Sequence, residues 1–244
     1  MEVRTPSSRP RSLILCALDI EFRAVAGSSL CRDNVIICTG PGYDAVVAGL
    51  EAIAVRLLDE WSVGVDKPPL IFAGLGGALH GDLEVGSAWV GRSVTNEGGK
   101  TISTSWPTTD QRGAVGLRMV DVLGSDAVLD TVSAKAEARS RFGVDLVDTE
   151  SHALADWACE AGYPFGVVRG VSDSFDGALP MNVSGWTRAD GSTNVNRVFR
   201  DLALHPWWIG SVRELARNSH AALENVIATL EMLGLADDVG NGAE

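Results

Sequence analysis

No run of 18 or more apolar residues occurs anywhere in the 244 residues, which excludes a transmembrane helix. Cysteine is sparse. Cys16, Cys31, Cys38 and Cys159 form no Cys-x-x-Cys pair, and two of them fall in apolar, strand-like runs. Reduced thiols in the cytoplasm are expected, and a disulfide framework is not. His80, His152, His205 and His220 are scattered without a spacing that would hold zinc, so no metal is expected. Positive charge is in short supply as well: 20 Lys and Arg against 32 Asp and Glu leave a formal charge of -12. That balance speaks against a surface built to follow nucleic-acid phosphates or anionic lipid. Arg4, Arg9 and Arg11 stand among Pro and Ser without the apolar core of a signal peptide.

What remains describes an ordinary globular protein. The length suits one α/β domain over residues 12–234, after a flexible leader at 1–11 and before an acidic tail at 235–244 that carries Asp237, Asp238 and Glu244. Internal repeats and low-complexity blocks are absent. Short apolar runs predict strands at 12–18, 35–39, 70–73 and 87–94, the third entering a glycine-rich loop from Gly74 to Ala78. Gly40-Pro41-Gly42 precedes a helix from Asp44 to about Trp61, with Val47, Leu50, Ile53, Ala54, Leu57 and Leu58 at helical spacing. The stretch from Thr95 to Arg112 fits neither period and reads as loop or ragged strand bordering a pocket. Strand 145–147, helix 151–160 and strand 165–171 form a βαβ unit, and two helices close the chain. Alternating strands and helices predict an open mixed sheet, mainly parallel, flanked by helices.

Two glycine motifs fail their context. Gly74-Leu75-Gly76-Gly77-Ala78-Leu79 half-resembles a dinucleotide fingerprint, yet no helix opens there. Gly98-Gly99-Lys100-Thr101 ends like a P-loop, but Val94 stands where the first glycine is needed. Trp207-Trp208 could meet a partner or an apolar ligand tail, though packing of the last helices explains the pair as well.

Two acids carry the functional argument. In a βαβ unit the residues just past each strand emerge at the same carboxyl edge, where α/β sheets bind ligands. Glu150 and Asp173 occupy those two positions. A pair of carboxyls there can bracket a sugar, one protonating a departing base and the other accepting hydrogen bonds from ribose hydroxyls. Taken alone, a carboxylate after a strand is more often a helix cap or a surface group than a catalytic one.

The residues around these acids carry a likeness. Residues 147–153 (VDTESHA) and 164–173 (PFGVVRGVSD) resemble the purine nucleoside phosphorylase and methylthioadenosine nucleosidase superfamily, as do 17–21 (ALDIE), 39–42 (TGPG) and 73–79 (AGLGGAL). The likeness covers roughly residues 12 to 180 and implies a nucleoside phosphorylase-like fold and a homo-oligomer. It also implies cleavage of the N-glycosidic bond of a purine, adenine-type nucleoside, by water or by inorganic phosphate as co-substrate, with no other cofactor. Glu21 would then contact the attacking water and Asp173 work on the base. Glu150, Thr149, Ser172, Gly42, Gly74 and Leu75 would bind substrate. Thr149 and Leu75 depart from the residues common in that family. Arg23, Arg32 and Arg92 are candidates for phosphate, and Trp106 is a candidate for stacking on the base. Residues 172–180 (SDSFDGALP), with Asp190-Gly191, are similar to the hopanoid-associated phosphorylase branch. The alternatives are a nucleosidase acting on another 5′-modified nucleoside, and a nucleoside-binding sensor that catalyses nothing.

Overall fold

A computed structural model describes residues 2–6, 10–54, 67–115, 117, 119–179 and 183–235. The far end of the helix expected to reach Trp61, and the acidic tail from residue 236 onward, lie outside the described residues.

Strand β2 (Leu13–Cys16) lies parallel to β3 (Val35–Cys38) and to β4 (Leu70–Ala78), all three almost wholly buried. Their unbroken apolar runs result from cover on both faces. Leu13, Leu15, Val35, Ile37, Leu70 and Phe72 point to one side, against Leu50 and Ile53 of helix α1 (Tyr43–Ile53) and Leu154 and Ala158 of helix α2 (Ser151–Ala161). The alternate residues Ile14, Cys16, Ile36, Cys38 and Ile71 point to the other. There they meet Phe22 and Val25 of the helix at Asp19–Ala26, and Val226 and Leu230 of the long helix at Ile209–Leu230.

The expected mixed α/β sheet with flanking helices is present, and its pairings go further by closing five strands into a ring. Strand β4 pairs with β8 (Leu146–Asp148), and β8 with β7 (Met119–Gly124). Strand β7 pairs with β5 (Ala88–Asn96), and β5 with β9 (Phe165–Asp173), which returns to β4. A short strand, β6 (Thr101–Ser103), folds back antiparallel onto β5.

Four expectations change. Residues 1–11 are not wholly a loose leader, because Glu2–Arg4 (β1) adds antiparallel to the free edge of β3. The glycine-rich segment after Ala73 is not a loop. It continues β4 to Ala78, since bare glycine backbone lets neighbouring side chains approach the strand: Cβ atoms on Gly74 and Gly76 would strike Glu21 and Leu146. The stretch from Thr95 to Arg112 forms the end of the β5–β6 hairpin and the start of a short helix (Thr109–Val115), and none of it borders the main cavity. Finally, β8 and β9 are not the parallel pair of a βαβ unit. Strand β8 runs antiparallel to β4 while β9 runs parallel to it, because helix α2 connects strands on opposite edges of β4 in a rolled sheet.

That arrangement makes the site. One edge of β4 pairs with β9 throughout. The other pairs with β2 only as far as Phe72 and with β8 only from Gly77. Between them, the backbone from Ala73 to Gly76 lacks a strand partner on that side, and its polar groups must be met by side chains.

Strand β9 also packs closely on the long C-terminal helix: a Cβ on Gly170 would lie 2.7 Å from the Ala222 carbonyl oxygen. Gly170→Ala is expected to cost about 2 kcal/mol of stability through overpacking, measured by urea unfolding. Unchanged stability would contradict this packing.

Candidate active site

A cavity of about 640 Å³ opens at the gap in β4, within the size range of small-molecule sites. Glu21, Gly42, Leu75, Thr149, Glu150, Ser172 and Asp173 all line it. Of the residues expected to bind substrate or take part in the reaction, Gly74 alone is not on the wall. It stands just behind, where a Cβ would strike Glu21 Oε1 and Arg169 Nη1.

Glu21 fills the gap. Positioned in the first turn of its helix, it reaches back so that Oε2 accepts from the N–H groups of Ala17 (3.0 Å) and Leu18 (2.9 Å), while Oε1 accepts from Leu75 N–H (2.8 Å). One carboxylate thus caps a helix and pairs the orphaned edge of β4. Burial pushes its pKa from the ordinary 4.5 up to about 7, a rise opposed by the Arg169 charge and the Leu18 and Leu75 amides and reinforced by Glu150.

Glu150 stands at the N-cap position of α2, yet its carboxylate does not cap that helix. Asp148 does so, its Oδ1 accepting from the N–H groups of Glu150 (3.2 Å) and Ser151 (2.9 Å). This frees Glu150 to turn inward, where Oε1 accepts from Gly42 N–H (3.1 Å) and from Thr149 Oγ1 (2.5 Å). No hydrogen bond among the described residues uses Oε2. Gly42 has φ of +85°, a conformation that suits glycine and aims its N–H at Glu150. Burial raises the Glu150 pKa and the Asp148 charge adds to it, against Arg169, Thr149 and Gly42.

Asp173 ends β9. Its Oδ1 lies 2.6 Å from Ser172 Oγ, and its Oδ2 accepts from Lys135 Nζ at 2.5 Å. Behind the wall, Arg169 is 1% exposed, donating from Nε to Asp148 Oδ2 (2.5 Å) and from Nη2 to Ser151 Oγ (3.2 Å), with its guanidinium 4.4 Å over the Phe72 ring.

Sequence reasoning misses Lys135, Arg169, Asp148, Asp126 and Asp130. A charged residue inside the apolar run Phe165–Val171 is a usable signal for Arg169. Nothing separates Lys135 from a surface lysine, since its helix carries Lys, Glu and Arg in close succession.

Two expectations fail here. Trp106 is a core residue, 5% exposed and packed beside Gly166, rather than a stacking partner in the cavity. Nor do the candidate phosphate ligands reach it: Arg23 pairs with Asp19, Arg92 with Asp121, and Arg32 lies elsewhere on the surface. The cavity wall carries six acids, Glu21, Asp126, Asp130, Asp148, Glu150 and Asp173, and no Lys, Arg or His among the described residues. Among those residues, no group of three or more His, Cys, Asp or Glu is arranged to hold a metal ion.

Residues 111–203 match the family model of the phosphorylase superfamily. No curated protein sequence matches the chain. Solved structures do match in fold. The methylthioadenosine/S-adenosylhomocysteine nucleosidase from Neisseria meningitidis, in complex with methylthio-immucillin-A, aligns with a TM-score of 0.65 at 15% identity over 92% of this chain and 98% of that one. Futalosine hydrolase of Helicobacter pylori aligns at 0.64 and 12% identity over 91% and 96%. The nucleosidase from Helicobacter pylori, with butyl-thio-DADMe-Immucillin-A, aligns at 0.60 and 13% over 91% and 98%. The family model thus matches residues 111–203, and the fold of these solved structures matches over nearly the whole chain.

The raised pKa of Glu21 has a consequence for stability. Between pH 4.5, where an unfolded glutamate titrates, and about 7, the folded chain binds more protons than the unfolded one, so stability falls as pH rises across that window, by about 3 kcal/mol in full. Glu21→Gln should flatten the unfolding free energy over this range, leaving the slope that Glu150 contributes. An equally steep fall in the variant would contradict the assignment.

Proposed function

We propose that the chain hydrolyses the N-glycosidic bond of a purine nucleoside and releases the free base. The observation that carries this reading is three carboxyl groups, Glu21, Glu150 and Asp173, facing one cavity from three separate elements, each held differently. Breaking the bond from C1′ to N9 leaves an electron pair on the purine and positive charge across C1′ and the ring oxygen. Asp173 protonates the base at N7 as it leaves. Glu150 Oε2 accepts from ribose hydroxyls, and its charge steadies the cation. Glu21, with a pKa of about 7, accepts a proton from the attacking water.

Water is favoured over phosphate by charge. Lys135 and Arg169 offset Asp173 and Asp148 from behind the wall, but Glu21, Glu150, Asp126 and Asp130 meet an entering phosphate dianion with no Lys or Arg on the wall among the described residues, whereas water meets no such repulsion. Val128, Leu129, Leu179 and Leu215 give the cavity an apolar portion, which suits an uncharged, apolar substituent at the 5′ position, from an alkylthio group to a longer hydrocarbon. The phosphorylase superfamily match and the nucleosidase fold support the same reaction class.

Incubation with adenosine and 5′-alkylthio analogues should release adenine without phosphate, and added phosphate should not accelerate it. Asp173→Asn should lower kcat by about 10²–10⁴-fold with little change in KM, while Glu150→Gln should damage both. Base release that requires phosphate would replace hydrolysis by phosphorolysis. No release from any nucleoside would leave a binding protein without turnover.

A further inference from the structure

Lys135 is a buried charged group that the reaction scheme above does not use. It is 1% exposed, and its ammonium group spends all three donors: on Asp173 Oδ2 at 2.5 Å, on Ser174 O at 2.6 Å and on Gly177 O at 3.0 Å. Stability is a poor reason for such a group. Taking an ammonium and a carboxylate out of water costs about as much as their attraction returns, and replacing such a pair as a whole by packed apolar side chains is often neutral or stabilising. The partner of this buried cation is the carboxyl that faces the cavity, which points to a role in the chemistry of that carboxyl.

We infer that Lys135 is the positioning residue for acid catalysis by Asp173, stabilising the carboxylate left behind when Asp173 gives its proton to the departing base. This rests on the hydrolytic reading. The C1′–N9 electron pair goes to the purine, and the Asp173 proton goes to N7. Lys135 keeps its own protons and holds the new negative charge on Oδ2. Water adds to C1′, its proton passing to Glu21 and from there to solvent, and solvent returns a proton to Asp173, so nucleoside and water yield base and free sugar. In the protonated form of Asp173 that the step requires, the charge is absent before proton transfer and present after it, so the attraction of Lys135 grows along the reaction, which is the condition for accelerating it. The same ammonium, through Ser174 O and Gly177 O, fixes the turn after Asp173, so the carboxyl cannot swing away from the cavity.

A purely structural lysine would give the same contacts, and the leaving group separates the two. Nitrophenyl riboside departs as a stable phenolate and needs no proton, whereas adenosine needs one. Lys135→Met should lower kcat on adenosine or its 5′-alkylthio analogue by about 10²-fold while KM changes little, and should leave nitrophenyl riboside cleavage within about threefold of wild type. Lys135→Arg, which keeps the charge, should recover part of the loss on the purine substrate. Parallel losses on both substrates would make Lys135 a packing residue and overturn the assignment, as would full purine activity in Lys135→Met. A wild-type chain that cleaves neither substrate overturns the hydrolytic reading and this inference with it. Should Lys135→Met fail to fold, Lys135→Gln, which retains a donor but no charge, gives the same comparison.

Discussion

The site exists because strand β4 has two different neighbours along one edge. Strand β2 leaves it after Phe72 and β8 joins it from Gly77, coming from the opposite direction. Backbone between those points must find hydrogen bonds elsewhere. Glu21 meets that demand by taking the Leu75 N–H while capping its own helix, and this draws a carboxylate into the interior. Its raised pKa is the electrostatic cost of that solution.

Around this gap the chain divides its acids by task. Asp148 caps helix α2 and neutralises Arg169, which leaves Glu150 with an oxygen free toward the cavity. Asp173 is gripped by Ser172 and Lys135 at the end of β9. The cations that compensate the acids, Arg169 and Lys135, lie behind the wall, each 1% exposed, so the cavity itself presents acids.

Much of this is legible in the sequence, for identifiable reasons. Apolar runs without alternation reveal strands covered on both faces, and Glu21, Glu150 and Asp173 each fall beside the end of such a run. The direction of β8 is not legible, because rolling the sheet into a ring depends on pairings between distant segments. The glycines after Ala73 read as a loop for the same reason: their purpose is close approach by Glu21 and by Leu146, which only the folded chain displays. Trp106 loses its expected role because it packs against β9 in the core, just past the β5–β6 hairpin. Lys135 leaves no trace in a helix rich in charged residues.

A crystal structure of the chain with a non-hydrolysable purine nucleoside analogue tests the three-carboxyl scheme most directly. N7 of the base is expected within hydrogen-bond reach of Asp173, both ribose hydroxyls on Glu150, and an ordered water between Glu21 and C1′. A nucleoside bound outside this cavity, or a phosphate ion seated where the water is expected, would contradict it.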